Sequence, residues 1–288
     1  MPERFLESPL LRTLGVLHGF STRLDGVSPP PFNSLNMSDL IGDDGALVAE
    51  NRRRLAWDLD LGGRALLVPS QVHGVDCALG SVTRSDEASP GALPDGEGVL
   101  MVPGSPCEAD AVMSCDPSLA LGVLTADCIP MLLANQTGEW VAAIHGGWRG
   151  TAGGILKNAV KKLARASGEP PSSFYLAIGP GIGLDSYEVG EEVVMGCLAS
   201  ISLSLEEAVD GGILKEVEGR YHLCLKSVNH LQGTQAGLAP RRIDVLWRDT
   251  YAEADVFFSH RRDRGQTGRH LNVIAPKAGG GGEVNWQE

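Results

Sequence analysis

The chain has 288 residues, 43% of them hydrophobic and 21% charged, and carries a formal net charge of −12. That is the composition of a globular chain able to bury a sizeable core, as one large domain or two small ones. An acidic surface repels phosphate backbones and anionic headgroups, so nucleic acid and membrane surfaces are disfavoured as partners.

No uncharged apolar run reaches the ~20 residues a bilayer-spanning helix needs, because Asp127 breaks the longest one. Met1-Pro2-Glu3-Arg4 lacks the basic-then-apolar pattern of a secretion signal. The six cysteines include no CxxC pair, which fits reduced thiols and a cytoplasmic setting.

Taken in order, residues 15–22 read as a first strand, followed by a loop rich in glycine and proline through Pro31. Asp43 or Asp44 is placed to cap a helix running to Leu59, with Leu47, Val48, Leu55 and Leu59 on one face. Residues 64–68 form a short strand leading into Gln71-Val72-His73-Gly74. Residues 80–108 carry Pro, Gly, Ser and acids without periodicity and read as a surface excursion. A strand over 110–114 enters two apolar runs, 119–134 and 140–144, joined by the turn Asn135-Gln136-Thr137-Gly138.

The first run is too apolar to alternate, which marks a central strand buried on both faces. Polar residues interrupt it only at Asp127-Cys128, and the second run ends in His145. A hairpin of this kind brings Cys128 and His145 to the same end of a sheet. Beyond it, Thr151 is expected to cap a helix with Ile155, Leu156, Ala159, Val160 and Leu163 inward and Gly168 as its stop. A strand is expected over 174–178, helices over 188–198 and 225–236, and late strands over 256–259 and 270–275. Such irregular alternation with hairpins predicts an α+β (mixed α/β) sandwich with mixed sheets. One domain over 1–278 and a flexible tail over 279–288 are expected.

Cys128, His73 and His145 each stand at a predicted strand end beside small or turn-forming residues. Two imidazoles and a thiolate make a three-ligand zinc set with a fourth position left open. The spacings, 55 residues and then 17, match no short zinc motif. The same atoms also suit a metal-free nucleophile, with Cys128 attacking and His145 or His73 as base. The bland alternative is a buried cysteine beside two ordinary polar histidines. Copper oxidation chemistry is disfavoured, since seven histidines without a His-x-His pair are few for a multinuclear copper centre.

Three segments, Gln71-Val72-His73, Thr125-Ala126-Asp127-Cys128-Ile129-Pro130 and His145-Gly146-Gly147-Trp148-Arg149-Gly150, resemble the signatures of the laccase-domain (YfiH-like) family. The likeness runs nearly end to end. It includes His18-Gly19-Phe20, Asn36, Asn51-Arg52, Asp110-Ala111-Val112, Tyr187-Glu188-Val189-Gly190, Ser259-His260-Arg261-Arg262 and Thr267-Gly268-Arg269. Departures are few: Gly146 replaces a common Ala, Asp249-Thr250 a Cys-Thr, Cys224 an Asp, and Asp25-Gly26 a Gly-Gly pair. None touches the three donors.

The resemblance implies a layered α/β/β/α sandwich related to a cysteine-hydrolase fold, and zinc held by His73, Cys128 and His145. It implies a purine nucleoside phosphorylase acting on adenosine, inosine or methylthioadenosine with phosphate, with adenosine deaminase activity in addition. A part in editing cytoplasmic peptidoglycan precursors is a further implication. Within that frame Cys128, His145, Asp127 and Arg149 are the catalytic candidates. Asp127 stands as acid/base or as support for a ligand, the two being equally open. Arg149 is the first choice as anion clamp, with Arg52, Arg261, Arg269 and Asn36 as further substrate or phosphate contacts. His18 and His260 are candidates for the pocket wall.

Overall fold

The computed structural model describes residues 4–80, the backbone of 100–101, and 108–278. The expected tail over 279–288, and most of the expected excursion over 80–108, lie outside the described residues. In chain order the strands are β1 (Phe5–Leu6), β2 (Leu17–Ser21), β3 (Ala65–Leu67), β4 (Cys77–Leu79), β5 (Leu100–Met101), β6 (Ala111–Ser114), β7 (Leu119–Thr125), β8 (Ile129–Ala134) and β9 (Val141–Gly146). They continue as β10 (Tyr175–Ile178), β11 (Glu188–Val189), β12 (Leu214–Val217), β13 (Arg220–Leu223), β14 (Ile243–Val245) and β15 (His270–Ala275). The helices are α1 (Pro9–Leu14), α2 (Gly45–Asp58), α3 (Trp148–Gly153), α4 (Ile155–Ser167), α5 (Glu191–Ile201), α6 (Leu205–Asp210) and α7 (Leu225–Gln235).

Two mixed sheets, ordered β1-β2-β15-β7-β3-β5 and β14-β10-β8-β9-β6-β4, carry the fold, with a small sheet β11-β13-β12 at one side. Side chains alternate across each strand, and here both faces are covered. Leu119, Leu121, Val123 and Ile274 of the first sheet meet Val112, Leu132, Ala134, Val141 and Ala143 of the second in one inner layer. On the far side of the first sheet, Leu66, Ala120, Leu271 and Val273 pack on Leu55, Ala56 and Leu59 at the end of α2. Behind the second sheet, Met131, Leu133, Ala142 and Ile144 pack on Leu156, Val160 and Leu163 of α4 and on α5 and α7. The layers run α/β/β/α, as the resemblance implied. Burial of each such aliphatic side chain contributes about 1.5–3 kcal/mol before entropy is counted.

The structure corrects several local expectations. Residues 119–134 are two strands in different sheets rather than one. The chain crosses the sandwich at Ala126-Asp127-Cys128, with Asp127 at φ 90°. The apolar run was continuous because both strands are buried on both faces, which hides the break. Thr151 does not cap α4: it is buried inside the short helix α3, and Gly154, at φ 82°, starts α4. Glu188-Val189 is an edge strand, and α5 begins at Glu191. Residues 256–259 form turns and loop, although Phe257 and Phe258 are fully buried. Asp44 caps α2, and the hairpin β8–β9 pairs Pro130 with His145.

Candidate metal centre

The site forms where two crossings between the sheets meet the end of a strand. The first crossing links β3 to β4 and carries His73; the second links β7 to β8 and carries Cys128. His145 stands near the end of β9, opposite Pro130. One ligand atom from each of His73, Cys128 and His145 lies within 4.8 Å of the others, the sole such group among the described residues. His145 is buried, Cys128 half-buried and His73 exposed at the rim. The two imidazoles meet edge to face with centroids 4.9 Å apart. A Cβ at Gly147 would sit 2.7 Å from Cδ2 of His73 and 3.4 Å from the Cys128 sulfur, so this position has to be glycine for the donors to close up.

Asp110 stands behind the donors. Its carboxylate accepts a 2.8 Å hydrogen bond from Nδ1 of His145, which leaves Nε2 as the ring's ligand atom, facing Cys128. Burial by itself would raise the Cys128 thiol. The His145 imidazole and hydrogen bonds from both histidines outweigh burial and draw the thiol down to about 6. Burial likewise works against a charged His145, but the Cys128 thiolate and Asp110 hold its imidazole up, at about 9. A thiolate and two nitrogens around one point fit a tetrahedral ion with its fourth position open.

Residues 17–277 match the family model described as multi-copper polyphenol oxidoreductase laccase. The chain belongs to the laccase-domain, YfiH-like family. Within it, the chain is 38% identical to "Purine nucleoside phosphorylase YlmD" of Geobacillus stearothermophilus over 260 residues, 90% of each chain. It is 37% identical to "Purine nucleoside phosphorylase" of Deinococcus radiodurans, with 92% of each chain covered. Among solved structures, YlmD of Geobacillus stearothermophilus superposes with a TM-score of 0.79 at 35% identity, covering 96% of this chain and 100% of that one. YfiH of Bacillus licheniformis gives 0.76 at 32% identity, covering 91% and 93%.

The other expected site residues of this YfiH-like chain separate into two groups. Asp127, 8% exposed, is hydrogen-bonded on both oxygens: Oδ1 accepts from the Thr250 hydroxyl at 2.7 Å and Oδ2 from the Arg261 amide at 2.7 Å. Arg269 precedes β15, whose first residue pairs with Thr125 at the mouth of the second crossing. Burial lowers its guanidinium, and negative charge on Cys128 and Asp127 pushes back, so the cation lies within electrostatic reach of the donors. Among the described residues only one of its guanidinium nitrogens is tied down, to the carbonyls of Thr267 and Gly268. Arg261 donates to the Glu188 carbonyl and lies over the Tyr187 ring.

The remaining candidates are otherwise engaged. Arg149 is exposed and stacks over Trp148. Arg52 donates to the Met37 carbonyl and pairs with Asp39. Asn36 is fully buried, giving its amide to Ser38 and Asp43 while accepting from the Ser38 and Arg269 amides. It therefore shapes the backbone under Arg269. His18 is bonded through both nitrogens to Ser8 and Val16, and sits opposite Ile274, four residues along β15 from the site end.

Three participants went unmarked in the sequence. Asp110 read as a strand start and as part of a motif, Thr250 as a departure from the family pattern, and Tyr187 as part of a motif, none of them with a role in the site. The charge on Cys128 helps to raise the Tyr187 phenol, after burial as the larger cause, so Tyr187 shares the site and stays neutral. Asp110 was the one to find: an acid at the start of a buried strand needs a partner.

Proposed function

We propose that this chain is a zinc-dependent purine nucleoside phosphorylase, cleaving adenosine, inosine or methylthioadenosine with phosphate and also deaminating adenosine. The observation that carries the reading is the convergence of His73, Cys128 and His145, joined to relatives named purine nucleoside phosphorylase. When bound, zinc supplies Lewis acidity at its open position. His145 offers Nε2 because Asp110 holds Nδ1, and Cys128 offers a sulfur already inclined to lose its proton.

In phosphorolysis the phosphate oxygen forms a bond to C1′ as the bond to the purine nitrogen breaks, its electron pair leaving with the base. Arg269 is the best-placed cation for the phosphate, having guanidinium nitrogens to spare, and it replaces Arg149 as first choice. Arg261 and Tyr187 form an adjoining wall. Asp127 ties the loops of Thr250 and Arg261 to the crossing that bears Cys128, which favours support over proton transfer.

The donor set favours zinc over the copper of the family's description. The buried imidazoles of His18 and His270 are tied to the backbone amides of Ser8 and Phe258. Metal analysis of the purified chain, run beside a phosphate-dependent adenosine assay, tests the reading. Zinc at about one per chain, with adenine and ribose 1-phosphate as products, is the expected result. Adenosine left intact with phosphate present would refute it.

A second reading has its own support. Cys128, His145 and Asp110 line up as nucleophile, base and orienting acid, the geometry of a metal-independent cysteine hydrolase, with a peptidoglycan precursor as a candidate substrate. Activity that survives chelation and is abolished by thiol alkylation would favour it.

A further inference from the structure

Asp110 is fully buried, and among the described residues every partner of its carboxylate is an N–H donor. Oδ1 accepts from the His73 amide at 3.0 Å and from Nδ1 of His145 at 2.8 Å. Oδ2 accepts from the amides of Val72 at 3.2 Å and Gly74 at 2.6 Å. Three successive amides converge on one carboxylate because His73 adopts φ 61°, in the left-handed region. That conformation is unfavourable for a residue with a Cβ, and the charge-assisted hydrogen bonds to the buried carboxylate offset it.

The same group thus bends the backbone that carries one imidazole and orients the ring of the other. Gln71 ties the loop to β7 separately, through the amide and carbonyl of Leu124 at 2.7 and 2.8 Å. Its side chain is not bonded to either histidine.

We propose that Asp110 is the positioning residue of this centre, fixing the rotation of His145 and the backbone pose of His73 relative to one another through a single carboxylate. The inference rests on the zinc reading for its consequence, and on the hydrogen bonds alone for its geometry. Asp110→Asn is nearly isosteric, yet its NH2 must face N–H groups that only donate, so at least one of the four contacts is lost. Gln71→Ala loosens the loop without touching Asp110 and serves as the comparison.

Zinc affinity of the full chain, measured by chelator competition with circular dichroism to check the fold, reads the effect. Asp110→Asn is expected to bind zinc about 10- to 100-fold more weakly than the wild type, and more weakly than Gln71→Ala. Equal affinity of Asp110→Asn and the wild type would overturn the proposal. Nitrogen-15 NMR of wild-type histidines decides independently, whether or not the variant folds. His145 is expected to carry a proton on Nδ1 with or without zinc, and a bare Nδ1 would overturn the assignment. Should the wild type bind no zinc, the metal reading falls while that spectrum still upholds or overturns the role of Asp110.

Discussion

Two buried aspartates organise opposite sides of this site, and they do so in chemically different ways. Asp110 gathers four N–H donors and holds the imidazoles. Asp127 accepts one hydroxyl and one amide and holds the loops that bear Arg261 and Thr250. A hydroxyl can give or take a hydrogen bond, whereas an N–H can only give. Similar burial therefore does not mean similar dependence on charge: one carboxylate has no neutral substitute, and the other has one in asparagine.

The largest expected effect is on the donors that both aspartates serve. Cys128→Ala should abolish zinc binding and reduce phosphorolysis to background, since two imidazoles alone make a poor site. Retention of stoichiometric zinc in that variant would detach the thiol from the centre.

Next comes the side that Asp127 organises. Arg269→Ala should raise KM for phosphate about 10- to 100-fold, the loss of one charge-assisted contact, whereas Arg149→Ala should change it less than about threefold. The reverse ranking would return the clamp to Arg149.

Gly147→Ala tests the Asp110 side by sterics alone. Its methyl group would stand 2.7 Å from Cδ2 of His73, so the ring must move, and zinc affinity should fall by roughly tenfold with the fold intact. Unchanged affinity would mean that the rim histidine moves freely.

Asp127→Asn is the sharpest test of the contrast. Its NH2 can donate to the Thr250 hydroxyl while its oxygen still accepts from the Arg261 amide, so kcat should stay within about threefold. A fall of about 10²–10⁴ would instead show Asp127 moving a proton.

The last test, on stability rather than on the site, extends the comparison to two histidines. His145 faces a carboxylate and a thiolate and is pushed up; His270, buried and accepting from the Phe258 amide, is pushed down by desolvation to about 3. Between pH ~6.5 and 3 the unfolded chain protonates His270 and the folded chain does not. Its contribution is therefore present above pH ~6.5 and is lost as pH falls toward 3, with a slope near 1.4 kcal/mol per pH unit. Urea midpoints from pH 7 to 4 should decline less steeply for His270→Gln than for the wild type. Parallel declines would remove His270 from the acid limb.

Much of the fold was legible in particular stretches. Asp44 and the Val48, Leu55, Leu59 stripe announced α2, and Asn135-Gln136-Thr137-Gly138 announced the β8–β9 hairpin. Residues 119–134 misled because burial on both faces erases the alternation that would separate two strands. Thr151 misled because a cap residue and a buried hydroxyl look alike in sequence; here Thr151 accepts from Asn229 and, through its carbonyl, from Gln232. The edge strand Glu188-Val189 is too short for any period to show.

By itself the sequence determined the family, because its motifs match nearly end to end, and a mixed-sheet sandwich, because continuous apolar runs and hairpins are local patterns. The α/β/β/α layering and the choice of His73, Cys128 and His145 as candidate donors followed from the family resemblance. Only the tertiary structure decided which acid serves those donors and which arginine stands beside them. Asp110 lies 35 residues from His145, and Asp127 is 134 residues from the Arg261 amide it accepts. At such separations partnership comes from where two sheets exchange strands, and no local pattern of side chains records it.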